Sequence, residues 1–369
     1  MYGVLTGDNP VKVGGAEVQL KLVAAALRKL GHDVTFIVPD VGQPDRVVTE
    51  SGMEVVKVPM NSRYLPGVRF CTRIVRFLRT LSDVRADVYC QMMRGMCTGL
   101  VAYHCKRVNR PFVFSVASNI DVDYSLPDWI EAQERLLFRY GISRADAVVV
   151  QSADQMALVR SNLHKEAVLI PSTFSMPDPN EDHGAGDMIL WAANMREVKR
   201  PEMFVDLAER LPQYSFVMVG GFDSGNAEAV EAIRRRAELL SNLQLTGFVP
   251  YDEVGRYFSR AALFVNTSWA EGFPNTFLQS WCRGVPVIAT FDSDGLLSRE
   301  GLGRYCADLD ELAASVDEFM KDAALRSSVG ETAKNYVMAH HSPDAVSAEF
   351  DRLFSELMWD SPPVDAYHE

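Results

Sequence analysis

The chain has 369 residues, of which 47% are hydrophobic and 23% charged, the composition of an ordinary globular protein. At about 150 residues per domain, this length predicts two domains, each able to bury a core without disulfides or a structural metal. The formal net charge of −12 argues against a general nucleic-acid-binding protein. The apolar runs all fall short of the roughly 18 residues that a membrane-spanning helix needs.

Charge differs between the two halves of the chain. Residues 1–170 carry 21 Lys and Arg against 17 Asp and Glu, whereas residues 171–369 carry 16 against 32. The resulting net charges of +4 and −16 support two separate domains, and an anionic partner should prefer the first. The six cysteines form no C-x-x-C pair and lie among apolar residues, as buried free thiols do. With no recognisable signal peptide, we predict a cytoplasmic protein.

Apolar periodicity in the first half predicts strands that alternate with helices. The segment Tyr2–Thr6 is interpreted as a first strand, and because it is short we expect that a few residues preceded it. An amphipathic helix is predicted over 16–30. Further strands are predicted over 34–38, 55–58, 86–90, 111–116 and 147–150. This alternation is typical of a parallel sheet with crossover helices.

A segment rich in Pro, Gly and acidic residues precedes a second series of the same kind. We predict an N-terminal domain over 1–172, a linker over 173–186, a C-terminal domain over 187–342 and a last helix over 343–360 that packs back on the N-terminal domain. The C-terminal domain has predicted strands over 188–192, 215–219, 243–245, 262–265 and 285–289, and predicted helices over 201–211, 227–240, 252–260 and 276–283. The predicted class is α/β, with two doubly wound, Rossmann-like domains facing across a cleft.

Ligands of doubly wound sheets bind beyond the carboxyl ends of the strands, so the loops that follow strands are candidate sites. The first such loop, 7–17, places Gly14 and Gly15 at a helix start, where unpaired amides favour an anion. Its pattern is neither a dinucleotide fingerprint nor a P-loop. The alternative interpretation is a flexible turn.

A second loop, 266–279, follows a buried strand and opens a helix. Glu271 is predicted to project from the strand end, and Gly272 permits a close backbone approach. Amides of the following helix start are predicted to face a phosphate. Gln279, one turn into that helix, can face back toward the same ligand.

A third loop, 193–201, follows the first strand of the C-terminal domain. Its three cations, Arg196, Lys199 and Arg200, fall within five residues and can neutralise a diphosphate. The alternative interpretation, which the loop taken alone favours, is a solvated charged segment.

Four motifs stand in the order that one enzyme family shows. They are G-G-A-E at 14–17, the Lys199 loop, G-F-V at 247–249 and E-G-F-P-N-T-F at 271–277. Together they resemble a retaining family 4 glycosyltransferase of the GT-B fold, over essentially the whole chain. The E-G-F-P-N segment, followed by G-V-P-V at 284–287, is the most specific part.

The resemblance implies how the donor's phosphates are held. Gly15, with Gly14 beside it, matches the glycine loop that contacts them, and Lys199 matches the lysine that holds the diphosphate. The family's arginine, five residues before that lysine, is Asn194 here, and Arg196 can substitute from two residues away.

The resemblance also implies how the sugar and ribose are held. Glu271 matches the first member of a glutamate pair and contacts hydroxyls of the transferred sugar. Gln279 stands in place of the second, a ribose ligand, and the lost charge is expected to cost on the order of 1 kcal/mol of affinity. The other substrate-binding residues implied by this segment are Gly272, Phe273, Asn275 and Thr276.

No metal or cofactor is expected. Asp121-Val122-Asp123 is formally a D-x-D pattern, but the resemblance implies that cations and helix amides stabilise the leaving diphosphate. It also implies retention of anomeric configuration, with the donor phosphate accepting the acceptor's proton in one proposed route. Asn119, Asp121 or Asp123 can contact substrate in the loop 115–123, or cap the next helix.

Residues 60–82 contain five arginines and no acidic residue before Asp83. Arg69, Arg73 and Arg76 share one predicted helical face and apolar residues share another. This stretch can lie on an anionic membrane or bind an anionic acceptor. The alternative is a core-packed helix with solvated arginines.

The predicted function is transfer of a sugar from a nucleoside diphosphate sugar to a glycan or lipid-linked acceptor, in cell-envelope or polysaccharide biosynthesis. The N-terminal domain should bind the acceptor and the C-terminal domain the donor. No nucleic-acid partner is expected, and the site of action is the cytoplasm or the inner membrane face. Two alternatives remain: a catalytically weakened partner or scaffold protein, which Asn194 and Gln279 favour, and a sugar-nucleotide epimerase or hydrolase.

Overall fold

A computed structural model describes residues 1–6, 14–59, 66–123, 132–178, 186–221 and 227–359. The chain forms two compact units. Unit 1 contains, among the described residues, 1–6, Gly14–Ser172 and the helix that begins at Pro343. Unit 2 contains Thr173–Ser342. Parts of three predicted features, the loop 7–13, residues 60–65 and residues 179–185 of the linker, lie outside the described residues.

Unit 1 is built on two sheets. One has the strand order β1-β3-β2, with β1 parallel to β3 and β2 antiparallel to it, and the other has the order β4-β5-β6-β7, all parallel. The strands are β1 (Thr35–Pro39), β2 (Arg46–Val48), β3 (Glu54–Val58), β4 (Tyr89–Met92), β5 (Phe112–Ser115), β6 (Ala147–Val150) and β7 (Val168–Leu169).

The helices of unit 1 cover these sheets. They are α1 (Tyr2–Thr6), α2 (Gly15–Lys29), α3 (Pro66–Val84), α4 (Met96–Val108), α5 (Ala132–Arg144), α6 (Ala153–Leu163) and α14 (Pro343–Trp359). Helix α14 packs on α2: its Phe350 and Phe354 are buried in one cluster with Leu27, and its Asp351 carboxylate lies 2.8 Å from the His32 ring. The last helix therefore completes the core of unit 1.

The first strand predicted for this unit is wrong, because Tyr2–Thr6 is the short helix α1. The amides of Val4 and Leu5 donate to the Met1 carbonyl, so the segment closes its hydrogen bonds locally. Both side chains are buried. Neighbouring residues of a strand would point to opposite faces, whereas a helical turn can turn both toward the protein.

Helices α4 and α5 approach each other more closely than side chains would allow. A Cβ added to Gly99 would lie 2.5 Å from the Leu137 carbonyl oxygen, and one added to Gly141 would lie 2.5 Å from the Thr98 backbone. The absence of a side chain at these two glycines lets the helix backbones pack in direct contact.

Unit 2 has one parallel sheet of six strands in the order β10-β9-β8-β11-β12-β13. Its strands are β8 (Met188–Ala192), β9 (Ser215–Val219), β10 (Leu243–Gly247), β11 (Ala261–Asn266), β12 (Val287–Ala289) and β13 (Gly303–Tyr305). Numbered within the unit, this order is 3-2-1-4-5-6, the arrangement of a Rossmann sheet. Five of the six strands contribute buried residues to two cores, one on each face, and the buried residues Leu302 and Cys306 flank β13.

The helices of unit 2 pack on both faces of that sheet. They are α7 (Pro201–Arg210), α8 (Ala227–Glu238), α9 (Tyr251–Ser259), α10 (Asn275–Trp281), α11 (Leu296–Arg299), α12 (Leu309–Lys321) and α13 (Ala323–His340). The described residues of the predicted linker, 173–178 and 186, belong to this unit. Phe174 is buried in its core, and the Thr173 hydroxyl donates to the His341 carbonyl at 2.9 Å.

The cysteines were predicted to be buried, and this is wrong for three of them. Cys105, Cys282 and Cys306 are buried free thiols, whereas Cys71, Cys90 and Cys97 are exposed. Residues on helices and strands that cover a core alternate between inward and outward positions, so apolar neighbours in the sequence do not ensure burial.

Candidate active site

Two loops of unit 2 lie where the strand order of the sheet reverses. Strands β8 and β11 are paired at the centre of the sheet, and the chain proceeds outward from them in opposite directions. Loops that leave the carboxyl ends of two such strands diverge and leave a crevice for a ligand. The loop after β8 carries Arg196 and Lys199, and the loop after β11 carries Glu271.

The Lys199 ammonium and the Glu271 carboxylate form an ion pair. The Lys199 side chain is 22% exposed and that of Glu271 is 13% exposed, so the pair is partly shielded from water and still reachable. The Ser268 hydroxyl donates to the same Glu271 oxygen at 2.7 Å. The two residues that the sequence assigned to catalysis are therefore in contact.

Backbone and hydroxyl contacts join the two loops beneath this pair. The Thr267 hydroxyl lies 2.6 Å from the Lys199 carbonyl oxygen and accepts a bond of 2.9 Å from the Trp191 indole. The Trp269 amide donates to the Val198 carbonyl at 3.1 Å. Thr267 is fully buried, so these contacts are made out of water and hold the loops in a fixed register.

The third cation of the first loop, Arg200, does not face solvent as a free charge. Its guanidinium donates to the Thr267 carbonyl and to the Thr290 hydroxyl, each at 2.6 Å. These neutral oxygens hold the guanidinium in place and leave its charge, so neutralisation of a diphosphate by all three cations stays a prediction. Nothing in the sequence of the loop 193–201 indicated these contacts of Arg200.

The other predicted residues of the second loop differ in exposure. Phe273 is buried and its ring lies 5.1 Å from that of His341, so its side chain anchors the loop. The Gly272 carbonyl accepts from the Ser293 hydroxyl at 3.4 Å. Asn275 and Thr276 begin α10 and are partly exposed.

The Gln279 side chain has a partner that the sequence did not indicate. It is hydrogen-bonded to the Tyr251 hydroxyl, at the start of α9. Burial raises the pKa of Tyr251 and the bond from Gln279 acts against that rise, so the tyrosine stays neutral at physiological pH. Tyr251 thereby holds the Gln279 amide in place, and the ribose contact predicted for Gln279 stays a prediction.

Gly14 and Gly15 lie in unit 1, at the start of α2. The Gly14 amide donates to the Glu17 carboxylate at 2.9 Å, so an acidic side chain of the same helix already binds this amide. The phosphate contact predicted for the two glycines stays a prediction.

The structure favours the capping interpretation of Asp121. Its carboxylate is buried and accepts from the amides of Ala117, Ser118 and Arg94 at 2.9, 3.1 and 3.2 Å. Burial raises the pKa of Asp121, while these amide bonds lower it. Among the residues that the structure describes, no three His, Cys, Asp or Glu side chains form a group that could hold a metal ion.

Helix α3 packs its apolar side on the core of unit 1. Leu81 is buried there, and Phe77 and Leu78 pack against the same cluster. Arg79 is exposed, and the Arg76 guanidinium donates to the Pro59 carbonyl at 3.2 Å. None of the helices in the described ranges is long and apolar enough to cross a membrane.

Two family models match the chain. Residues 14–171 match the model described as a glycosyl transferase 4-like domain, and residues 186–322 match the model described as glycosyl transferases group 1. The chain belongs to the family 4 glycosyltransferases. It is therefore a glycosyltransferase enzyme, and the resemblance drawn from the four motifs is confirmed.

Characterised relatives include glycolipid synthases. The chain is 25% identical to alpha-galactosylglucosyldiacylglycerol synthase of Streptococcus pneumoniae over 258 residues, which cover 64% of this chain and 68% of the relative. It is 19% identical to alpha-monoglucosyldiacylglycerol synthase of Acholeplasma laidlawii over 322 residues, 76% of this chain and 77% of the relative. A shorter match, 23% over 164 residues, is to the O-antigen biosynthesis glycosyltransferase WbnH of Escherichia coli, covering 42% of this chain and 45% of the relative.

Solved structures confirm the predicted GT-B fold. Sucrose-phosphate synthase from Thermosynechococcus elongatus matches with a TM-score of 0.77 and 18% identity, over 94% of each chain. Anabaena HepE in complex with UDP and glucose matches with a TM-score of 0.74 and 15% identity, over 95% of this chain and 98% of HepE.

Proposed function

We propose that this glycosyltransferase transfers a sugar, with retention of configuration, from a nucleoside diphosphate sugar to a glycan or lipid-linked acceptor of cell-envelope biosynthesis. The observation that carries the proposal is the Lys199–Glu271 pair, placed between β8 and β11 where the strand order of unit 2 reverses. A cation for phosphate and a carboxylate for sugar hydroxyls stand side by side there.

Donor binding exchanges one ion pair for two sets of contacts. The diphosphate, with two negative charges, competes for the Lys199 ammonium and draws it from Glu271. The released carboxylate then accepts hydrogen bonds from hydroxyls of the transferred sugar, and such charge-assisted bonds are stronger than neutral ones. Ser268 keeps one Glu271 oxygen in place through its 2.7 Å bond during the exchange.

Lys199 and Arg196 stabilise the charge that develops during transfer. As the bond between the anomeric carbon and the phosphate oxygen breaks, its electron pair moves to the diphosphate, and the nearby cations lower the energy of that state. The acceptor oxygen attacks the same face of the sugar and its proton passes to the leaving phosphate oxygen. Atoms and charge balance in this step without a metal ion.

A scaffold protein or an epimerase is a weaker explanation of the site. An inactive partner has no need to keep a lysine and a glutamate in contact within a network of buried hydrogen bonds. An epimerase needs a group placed for proton abstraction from a sugar carbon, whereas this chain matches glycosyltransferase models in both units.

The test compares the wild type with Glu271→Gln, which keeps the size of the side chain and removes its charge. Thermal stability in the presence of UDP, GDP and ADP sugars first identifies the donor, because a ligand of the native state raises the melting temperature. Turnover of that donor with a crude acceptor extract is then expected to fall by about 10²- to 10³-fold in Glu271→Gln.

Glu300→Gln, an exposed substitution in the same unit, is the matched control and should keep wild-type turnover. Undiminished turnover in Glu271→Gln would contradict the role of Glu271, and a wild type that consumes none of the three donor classes would contradict the function.

We further propose that the acceptor is presented at the inner face of an anionic membrane and that α3 contacts that surface from the cytoplasm. The diacylglycerol-based products named for two relatives and the run of arginines from Arg73 to Arg79 support this. Each basic residue near an anionic surface adds on the order of 1 kcal/mol.

Sedimentation with liposomes tests this second proposal. The protein should sediment with phosphatidylglycerol liposomes at low salt and not with phosphatidylcholine liposomes. An Arg73→Gln, Arg79→Gln double variant should bind less, whereas Arg256→Gln in unit 2 should not differ from the wild type. Absence of any binding at low salt would contradict the proposal.

A further inference from the structure

We infer that Arg200 is a positioning residue of the active site: its guanidinium fixes the loop that carries Glu271 against the loop that carries Lys199. The inference rests on the proposed function, because it concerns the relative placement of the two groups that bind the diphosphate and the sugar.

The guanidinium of Arg200 controls the backbone on both sides of Ser268. It binds the Thr267 carbonyl directly, at 2.6 Å. It also donates at 2.6 Å to the Thr290 hydroxyl, which lies 3.0 Å from the Ser268 carbonyl oxygen and donates to it. Both peptide groups of Ser268 are thus fixed through one side chain.

Ser268 passes this placement on to Glu271. It is 1% exposed, so water does not compete for its contacts. Its hydroxyl holds the Glu271 carboxylate at 2.7 Å, and its amide is held at 2.8 Å by the Asn266 side chain. A shift of Ser268 would therefore move the carboxylate that is proposed to bind the sugar.

The same arginine is the residue next to Lys199, so the connection has no flexible link. Arg200 has φ 43° and ψ 56°, a left-handed backbone that favours glycine, and it stands directly before Pro201 at the start of α7. The Thr267 hydroxyl in turn donates a hydrogen bond to the Lys199 carbonyl oxygen. A strained arginine where glycine would be relaxed indicates that its side chain compensates for the cost.

In this proposal the three cations of the loop have two different roles. Arg200 is bound to protein oxygens and sets distances, and Lys199 and Arg196 serve the diphosphate. A misplacement of about 1 Å between reacting groups costs about 10²-fold in rate, so loss of the guanidinium should affect transfer much more than nucleotide binding.

Arg200→Gly tests the inference, because glycine accepts the left-handed backbone and only the side chain is removed. We would measure the affinity for UDP and for UDP-glucose by calorimetry, or for the GDP or ADP pair that thermal screening selects, together with kcat and KM. The affinity for the nucleoside diphosphate should change by less than about threefold, since Lys199 stays in place. The kcat should fall by about 10²-fold, and the extra affinity of the sugar nucleotide over the diphosphate should disappear.

Arg200→Lys and Arg236→Ala are the comparison variants. Lysine can reach one of the two oxygens and should restore part of the lost kcat. Arg236 joins Asp206 and Glu209 on the surface of unit 2, so its removal lowers stability without changing the ratio of the two affinities. A purely structural role for Arg200 predicts the behaviour of Arg236→Ala.

The outcomes separate this inference from the function it rests on. A wild type that turns over the donor, with an Arg200→Gly variant of undiminished kcat and unchanged affinity ratio, overturns the inference alone. A kcat loss that follows the fraction unfolded and disappears at lower temperature also overturns it. A wild type that uses none of the donors overturns the proposed function and the inference together.

Discussion

Lys199 and Glu271 are held together by an ion pair that the donor is proposed to break. The pair is partly shielded from water. Opposite charges attract more strongly there than in bulk solvent, so the attraction keeps both groups in place. Their residue types were predictable because each stands in a short contiguous motif. The role of Arg200 was not, since its partners Thr267 and Thr290 lie 67 and 90 residues away in the chain and only folding brings them near.

Gln279 offers a prediction at this scale. Restoring the family's carboxylate with Gln279→Glu should tighten donor binding by about 1 kcal/mol, or roughly fivefold, because a charged acceptor bonds ribose hydroxyls more strongly than an amide. The Tyr251 hydroxyl, now bonded to Gln279, can donate to the new carboxylate and keep it oriented. Calorimetric titration with the donor measures the change.

Tyr251→Phe provides the comparison for this substitution. It removes the hydroxyl and leaves the ring, so the gain from Gln279→Glu should shrink in the double variant. Equal or weaker donor binding by Gln279→Glu alone would contradict a ribose contact at this position.

At the scale of helices and strands, the pattern of apolar residues predicted most elements. Buried parallel strands are short and apolar, and the helices between them are amphipathic, so the two kinds of segment differ in sequence. It was wrong for Tyr2–Thr6, where two adjacent apolar residues fit a helical turn as well as a strand. The contact between α4 and α5 could not be predicted, since Gly99 and Gly141 stand in separate helices and nothing local marks a close approach.

The contact between α4 and α5 predicts a steep cost for a single methyl group. Gly141→Ala places a Cβ 2.5 Å from the Thr98 backbone, and the helices must separate, which should lower the free energy of unfolding by about 1–3 kcal/mol. Gly95→Ala, whose added Cβ would meet nothing within 4 Å, loses only the preference for glycine over alanine at the helix N-cap and should cost less than about 1 kcal/mol. Urea denaturation of the two variants measures both, and equal stability would contradict the close packing.

His104 on α4 makes the stability of unit 1 depend on pH. It is 3% exposed, lies 3.2 Å from the Tyr89 hydroxyl, and burial lowers its pKa below the ordinary 6.5. As the pH falls through 6.5, this histidine binds a proton in the unfolded chain but stays neutral in the folded chain. The free energy of unfolding therefore falls.

His104→Gln tests this dependence because it removes the titrating group and keeps a polar side chain. Urea denaturation at pH 7.5 and pH 5.5 should show a smaller loss of stability for the variant than for the wild type. An equal loss in both proteins would show that other groups cause the pH dependence.

At the scale of the whole molecule, the two halves of the sequence carry opposite net charges. The sequence carries +4 over residues 1–170 and −16 over residues 171–369, and yet the site proposed for an anionic diphosphate lies in the acidic half. Local cations on one loop, Arg196 and Lys199, therefore outweigh the net charge of their unit, because charges of exposed groups beyond about 10 Å are screened at physiological salt. Net charge alone suggested the other half.

The organisation of the whole chain could be predicted from the sequence because its motifs resemble those of a known family. The GT-B fold follows from motifs spread over both halves. The last helix was also predicted to pack on the N-terminal domain, and α14 joins the core of unit 1 through Phe350 and Phe354. The donor base and the acceptor could not be predicted from the sequence. The residue types in the loops that would bind them occur in binding sites for many different ligands.

The central claim is that Lys199 holds the donor's diphosphate in unit 2 without help from a divalent cation. Calorimetric titration of the selected nucleoside diphosphate sugar in excess EDTA tests it most directly, with wild-type protein and Lys199→Met side by side. The account predicts undiminished binding by the wild type in EDTA and at least tenfold weaker binding by Lys199→Met. Binding that requires added magnesium, or that Lys199→Met leaves unchanged, would contradict it.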